Sequence, residues 1–572
     1  MSDSTSILSL AQPFRDAYLD HAAITAQLNA WVAAFPSTVR LTSIGTTEEG
    51  RDLWVLTIGP DPDRHRPGVW VDANMHASEL CGSSVALAIA EDLIRLHTEP
   101  GSTIHGLPDA ACERLRDVLV YVMPRLSPDG GERLLKTARF VRSSPRDGRP
   151  NQAHPHWEHG DLDGNGLALQ MRLEDPHGEY VANPRFPSLL QPRTIEDEGP
   201  FFRLYPEGTI ANFDGDIVPD PYYLSDNGTD LNRNFFVGWQ SEPYQAGAGV
   251  TALSEPESRA VVDFTAAHPN IYAWLNLHCF GGVVIRPPGD KPDSAMHPDE
   301  LALYEQLAAW SDTYSGYPTV SGFEEFTYEP DKPLAGDIVA YAYKARGCFA
   351  WVVELWDLFA RLGLERPKRF VDYYNRMTTD DLETLYVFDR EHNAGRLFVP
   401  WVPVEHPQLG PVEVGGVDPR VGLWNPPYEE IGGVCDAQSA IFLRVAAMCP
   451  QVAVATSVSD TGVVEVSVQN TGYMPTYGLP SAKPLPFNEP LWVECAVEDG
   501  LTLVDPTQSR LDVGHLEGWG RGRFHGGQSL LFPQTRGSSN RRTLRIHTQG
   551  AGQLKVRVGS CRVGWQDITV AV

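Results

Sequence analysis

Four short apolar runs set the tightest limit on how this chain folds: GVWVDAN from Gly68, VLVYVMP from Val118, IYAWLNLH from Ile271 and CFAWVVEL from Cys348. Each is rich in β-branched and aromatic side chains and lacks the in–out alternation of a strand with one wet face. Strands of that texture need cover on both sides, the condition of parallel strands sandwiched between helices. Helical stretches do separate many of the runs. HAAITAQLNAWVAAFP stops at Pro36, SSVALAIAEDLIRLH follows the first run, and SEPESRAVVDFTAAH opens with the capping-box pair Ser254 and Glu257. The expected class is therefore α/β, with a mixed, mostly parallel sheet covered by helices on both faces.

At 572 residues the chain exceeds one ordinary domain. Residues 1–395 read as the α/β unit. Within it, 145–229 loses periodicity and fills with Pro, Gly, Asp and Asn. So long a structureless loop is rare in a compact domain, so this stretch is expected to be an ordered insertion beside the functional site. Residues 396–450, beginning with the Pro-rich FVPWVPVEHPQLGPVEVGG, read as a connector with one helix. Residues 451–572 alternate short strands and turns, the pattern of an antiparallel all-β sandwich.

A formal charge of −28 repels phosphate backbones and anionic lipid, which removes nucleic acid and membranes as partners. No eighteen-residue apolar window or signal-like N-terminal segment is present. The eight cysteines show no CxxC spacing, so free thiols in a reducing, cytoplasmic setting are expected.

The chemistry gathers where the runs end. His76 and Glu79 follow the first, His278 closes the third, and Glu354 lies near the end of the fourth, after Phe349, Trp351 and Val353. Two imidazoles and a carboxylate make a catalytic zinc set that leaves a position for water. A carboxylate set against apolar neighbours has a raised pKa suited to proton transfer near neutrality. The second run leads to ARFVRSSPR, with Arg139 and Arg142, and TDLNRNF supplies Asn232 and Arg233. Guanidinium groups grip carboxylates and stabilise oxyanions. Singly, each residue also reads as a satisfied strand-end side chain or a surface ion pair. Together they sit where α/β sheets bind ligands, at strand carboxyl ends.

This ordered set resembles the zinc metallocarboxypeptidases of the carboxypeptidase A type, in a bacterial branch with a C-terminal β-sandwich. The matching features are His76 and Glu79 as HxxE, SPDGG followed by Arg139 and Arg142, TDLNRNF, SEPE, His278 in NLHCFGG and Glu354 in VVEL. The resemblance covers roughly Tyr18 to Leu358. The resemblance implies one catalytic Zn²⁺ on His76, Glu79 and His278, with Glu354 as general base and acid and Arg142 at the oxyanion. Asn232, Arg233 and Arg139 would bind the substrate, a peptide with a free terminal carboxylate. The activity implied is hydrolysis of the C-terminal peptide bond. The alternative is a zinc amidohydrolase or deacylase that frees an amino acid from an N-acyl conjugate, and a non-catalytic binding protein ranks last. The family's capping tyrosine falls at Tyr328 if four residues are inserted, and near Lys332 otherwise. Ungapped register puts Val339 at the base of the specificity pocket, implying an apolar or aromatic side chain. A two-residue shift puts Asp337 there and implies a basic one. Structural signals begin near Tyr18, so a chain active without proteolytic trimming is expected.

Two further stretches carry ligand-type residues. Asp161, Asp163 and Asn165 alternate ahead of Gly166 as in a Ca²⁺ loop, yet Arg172 stands at the twelfth position, so an ion site and a plain Asx-turn both remain readings. His154, His156 and His159 are expected to form a polar rim at the site mouth.

Overall fold

The four apolar runs become the middle of an eight-stranded sheet. In the computed structural model, which describes residues 7–99, 101–146, 153–220, 228–242, 244–329, 332–523 and 531–572, its strands run in the order Val39–Thr46, Asp52–Ile58, Leu119–Met123, Gly68–Ala73, Ile271–Cys279, Phe349–Leu355, Val283–Arg286 and Thr319–Ser321. The central pairs are parallel, and antiparallel pairs flank them on both sides. Every residue of Gly68–Ala73, Leu119–Met123 and Ile271–Cys279 is buried. Successive side chains point to opposite faces, so burial without alternation means that both faces are covered. The register matters for the site: His278 pairs with Glu354, and Leu277 pairs with Ala73. Three strands thus finish at one level.

The helices mostly start and stop where the sequence signals lie. His21–Ala34 is capped by the Asp20 carboxylate, which accepts from Ala23 N–H at 2.8 Å. One expectation fails. Helix Pro256–Ala266 has Glu255 as its N-cap, without a side-chain capping bond. The Ser254 hydroxyl turns instead to the Glu255 carboxylate at 2.9 Å and receives the Asn234 amide at 2.9 Å. Pro256, at the first helical position, sets the start.

The stretch expected to be an ordered insertion contributes Gln170–Glu174, Phe201–Pro206, Tyr180–Ala182 and Leu190–Pro192 to a second sheet. The Pro-rich passage expected to be a connector completes that sheet. It forms a hairpin, Phe398–His406 and Gly410–Val417, whose second strand pairs with Gln170–Glu174. Prolines are tolerated because Phe398–His406 is the edge strand. Helix Ile431–Ala446 follows and packs on Cys81–Thr98. Beyond it, two four-stranded antiparallel sheets share one core that includes Val464, Val466 and Ile546 from one sheet and Val493, Val556 and Val558 from the other. This is the expected sandwich.

Arg562 ties the sandwich to the α/β sheet. It lies between strands Gln553–Ser560 and Gly564–Ala571, is fully buried, and donates to the carbonyls of Ile271 and Arg346, the latter at 3.0 Å. Those carbonyls lie where Ile271–Cys279 begins and just ahead of Phe349–Leu355. Removing the guanidinium strands buried acceptors and leaves a void, at a cost of about 3 kcal/mol. Arg562→Ala is expected to lose that much in denaturant unfolding. A variant as stable as the parent would show that the bonds carry no net stabilisation.

Candidate active site

The HxxE turn is built by Asn74. Strand Gly68–Ala73 ends one residue earlier, and Asn74 takes a left-handed conformation (φ 53°) that asparagine accepts better than most residues. Its amide donates to the carbonyls of His76 at 2.8 Å, Ala77 at 3.2 Å and Glu79 at 3.2 Å. That clamp points both ligand-type side chains one way. The SPDGG turn sets the arginine segment close by. A Cβ on Gly130 would fall 1.9 Å from the carbonyl oxygen of Ser143, so only glycine permits the approach. Next to it, the Arg142 carbonyl accepts from Ala77 N–H at 2.8 Å.

The three side chains meet. His76 Nδ1 lies 2.7 Å from Glu79 Oε1, His278 Nδ1 lies 2.9 Å from Glu79 Oε2, and the two Nδ1 atoms are 3.0 Å apart. All three residues are buried. The outer nitrogens settle where the protons are. His76 Nε2 faces the Asp230 carboxylate at 3.1 Å, and His278 Nε2 faces Asn276 Oδ1 at 2.6 Å. Both partners accept, so in the neutral rings each Nε2 carries the hydrogen and each Nδ1 presents a lone pair inward. Two nitrogen lone pairs and a carboxylate then converge with no proton between them. A divalent cation of the Zn²⁺ type fits that donor set.

Burial opposes ionisation of Glu79, but His76 and His278 in their charged forms hold its carboxyl down to about 2, the condition of a cluster that carries protons in place of a metal. Burial likewise opposes Asp230, yet Arg142 and His76 keep it well below the usual carboxylate range. Glu354 differs. Burial and the neighbouring charge of Glu79 push its carboxyl well above that range, with Arg142 opposing.

Glu354 opens into a cavity whose wall also includes His76, His278, Arg142, Asn232, Arg233 and Tyr328. Arg142 Nε donates to Asp230 Oδ2 at 3.1 Å. Asn232 Oδ1 accepts from Ile338 N–H at 3.0 Å, which fixes the Asn232–Arg233 turn against the helix start at Ile338. Val339 and Asp337 both line the cavity, and one Asp337 oxygen caps Ala340 N–H at 2.7 Å. Tyr328, 44 % exposed, stands at the wall.

Arg139 is not part of that wall. It sits just past helix Pro128–Thr137, its N–H bonded to Thr137 Oγ1. Two residues of irregular chain, Phe140 and Val141, separate it from Arg142. None of His154, His156 and His159 lines the cavity: the last two lie in a strand, His156–His159, paired with Gly208–Ala211. Asp161 accepts from the N–H groups of Gly164, Asn165 and Gly166, and Asp163 from Asn165, which are the bonds of an Asx-turn loop. Glu207, whose carboxylate reaches the same cluster, accepts from Leu162 and Leu169 N–H. The sequence reasoning passed over Asp230 and Asn276. Each stands two residues from a candidate, in TDLNRNF and in NLHCFGG, and a search for acceptors at that spacing would have found both.

Residues 24–361 match the family described as zinc carboxypeptidase, and residues 450–571 match a domain of unknown function. Carboxypeptidase A4 of Mus musculus is 27 % identical over 348 residues, 60 % of this chain and 63 % of that protein. Carboxypeptidase D of Drosophila melanogaster is 27 % identical over 217 residues, 37 % of this chain and 13 % of that protein. Both matches cover less than two thirds of the relative's own length. The crystal structure of thrombin activatable fibrinolysis inhibitor superposes with a TM-score of 0.45 at 16 % identity, covering 78 % of each chain. His76, Glu79, Arg142, Arg233, His278 and Glu354 all fall inside the matched segment, which takes in more than half of the residues, and the chain belongs to the zinc carboxypeptidase family.

Proposed function

We propose that this protein is a zinc-dependent exopeptidase that hydrolyses the C-terminal peptide bond of peptides. The observation that carries the reading is the inward convergence of His76 Nδ1, the Glu79 carboxylate and His278 Nδ1 beside a cavity that holds both Glu354 and Arg233. Zinc held by those three residues would supply an acidified water and positive charge for the scissile carbonyl. Glu354, its proton affinity raised by burial, takes a proton from the attacking water and returns it to the departing amine nitrogen. Arg142, steered by Asp230, directs its guanidinium at the carbonyl oxygen as charge develops there. Asn232 and Arg233 hold the substrate's terminal carboxylate, which limits attack to the last bond. Tyr328 closes over the bound residue, and Val339 offers the terminal side chain an apolar wall. The eight unpaired cysteines suit a reducing cytoplasm.

N-blocked dipeptides test the reading against their C-terminal amides. The free acids are expected to be cleaved and the amides to be inert. Arg233→Met is expected to lose about 10²-fold in kcat/KM on the acids, the worth of one charge-assisted carboxylate clamp. Equal cleavage of acid and amide would refute an exopeptidase. Preference for N-acyl amino acids over dipeptides would redirect the reading to a deacylase.

A further inference from the structure

Asp72 is a carboxylate near the end of a fully buried strand, Gly68–Ala73. Its neighbours Val71 and Ala73 are ordinary core, and Asp72 is as inaccessible as they are. Three neutral donors hold it: Trp70 Nε1 to Oδ2 at 2.7 Å, Trp274 Nε1 to Oδ2 at 2.8 Å, and Asn276 Nδ2 to Oδ1 at 2.6 Å. Burying an anion on such terms is costly, and an apolar residue would pack there without that penalty. The bonds reach beyond the core, however. Asn276 pairs with Asp72 across the two strands, is itself fully buried, and touches His278 Nε2 with Oδ1.

Each bond in this chain fixes the direction of the next. As a carboxylate, Asp72 only accepts, so Asn276 must turn its NH₂ toward it. Asn276 then has only its carbonyl oxygen to offer His278. His278 must therefore hold its proton on Nε2, which leaves the Nδ1 lone pair aimed at Glu79 and His76. His76 receives the same instruction directly from Asp230.

We propose that Asp72 is a positioning residue that, through the Asn276 amide, fixes the tautomer of His278 and so sets the affinity of the site for zinc. This rests on the reading of His76, Glu79 and His278 as the metal ligands. Trp70 and Trp274 occupy Oδ2 of Asp72, which leaves Oδ1 to Asn276. The chain of bonds orients the ring and strengthens its electron-pair donation without touching substrate.

The test is zinc affinity, measured by competition with a chelator, together with the visible spectrum of the Co²⁺-loaded protein. In D72N the new amide keeps its oxygen toward the two indoles and turns NH₂ toward Asn276. Asn276 flips, His278 must accept at Nε2, and its proton moves to Nδ1 inside the cluster. Zinc affinity is expected to fall 10- to 100-fold with a changed Co²⁺ spectrum. The exchanged pair D72N/N276D rebuilds the chain with every donor and acceptor in order, and is expected to recover affinity and spectrum. Should D72N fail to fold, N276A breaks the chain at its middle and is expected to show the same loss. A single variant that binds within twofold of the parent, or a double variant no better than D72N, overturns the relay. Parent protein that takes up no zinc overturns the ligand reading and the relay with it.

Discussion

Glu354→Gln is expected to abolish turnover, by about 10³-fold or more, while the protein keeps its full complement of zinc. The magnitude is that of losing a positioned general acid–base group. The separation of the two effects follows from geometry. Glu354 contributes no oxygen to the cluster of His76, Glu79 and His278, so its amide leaves the donor set intact. What the amide lacks is the ability to take a proton. Glu354 acquires that ability from its setting: burial comes first, the charge of Glu79 adds to it, and Arg142 limits the rise. Its place comes from register, since it pairs with His278 across two parallel strands. Glutamine is nearly isosteric, so the strand Phe349–Leu355 and its pairing should survive. Steady-state rates on an N-blocked dipeptide and zinc content by elemental analysis check the claim together. A variant with parental kcat would remove Glu354 from the chemistry, and one that lost zinc would place it among the ligands.

Much of this arrangement could be read from the chain because buried parallel strands are unambiguous. A run such as IYAWLNLH cannot be served by water on either face, and a polar side chain at its end must have a reason to be there. That logic places His76, His278 and Glu354 together at the carboxyl ends of the central strands. It failed for polar residues inside the runs. Asp72 and Asn276 lie within GVWVDAN and IYAWLNLH, where strand propensity hid them, and their meaning depends on a cross-strand pairing that no local pattern encodes. The insertion was obscure for a related reason. Its strands are three to six residues long and complete their sheet with a hairpin more than two hundred residues downstream. Arg139 is not among the residues that line the cavity, and a resemblance transfers positions while side-chain direction depends on the local backbone.

Zinc removal is the other large effect. Chelated protein is expected to lose activity on the same dipeptide by more than about 10²-fold, to melt at a lower temperature, and to recover both when one equivalent of zinc is restored. The stability change has a specific origin. Neither ring can relieve the crowding of Nδ1 lone pairs at 3.0 Å by swapping its proton inward, because His76 would lose its bond to Asp230 and His278 its bond to Asn276. The metal-free cluster must instead take up a proton in a fully buried place or let a side chain swing out. A cation that binds only the folded state adds about 4 kcal/mol at a thousandfold excess over its Kd. The stoichiometry is expected to be one. Asp161 and Asp163 spend their oxygens on the N–H groups of their own turn, so calcium added to the zinc-loaded protein is expected to leave its melting temperature unchanged. Uptake of a second ion with a rise in melting temperature would show that those carboxylates give up their turn bonds for a metal. Chelation without loss of activity would show that the three converging side chains serve the fold alone.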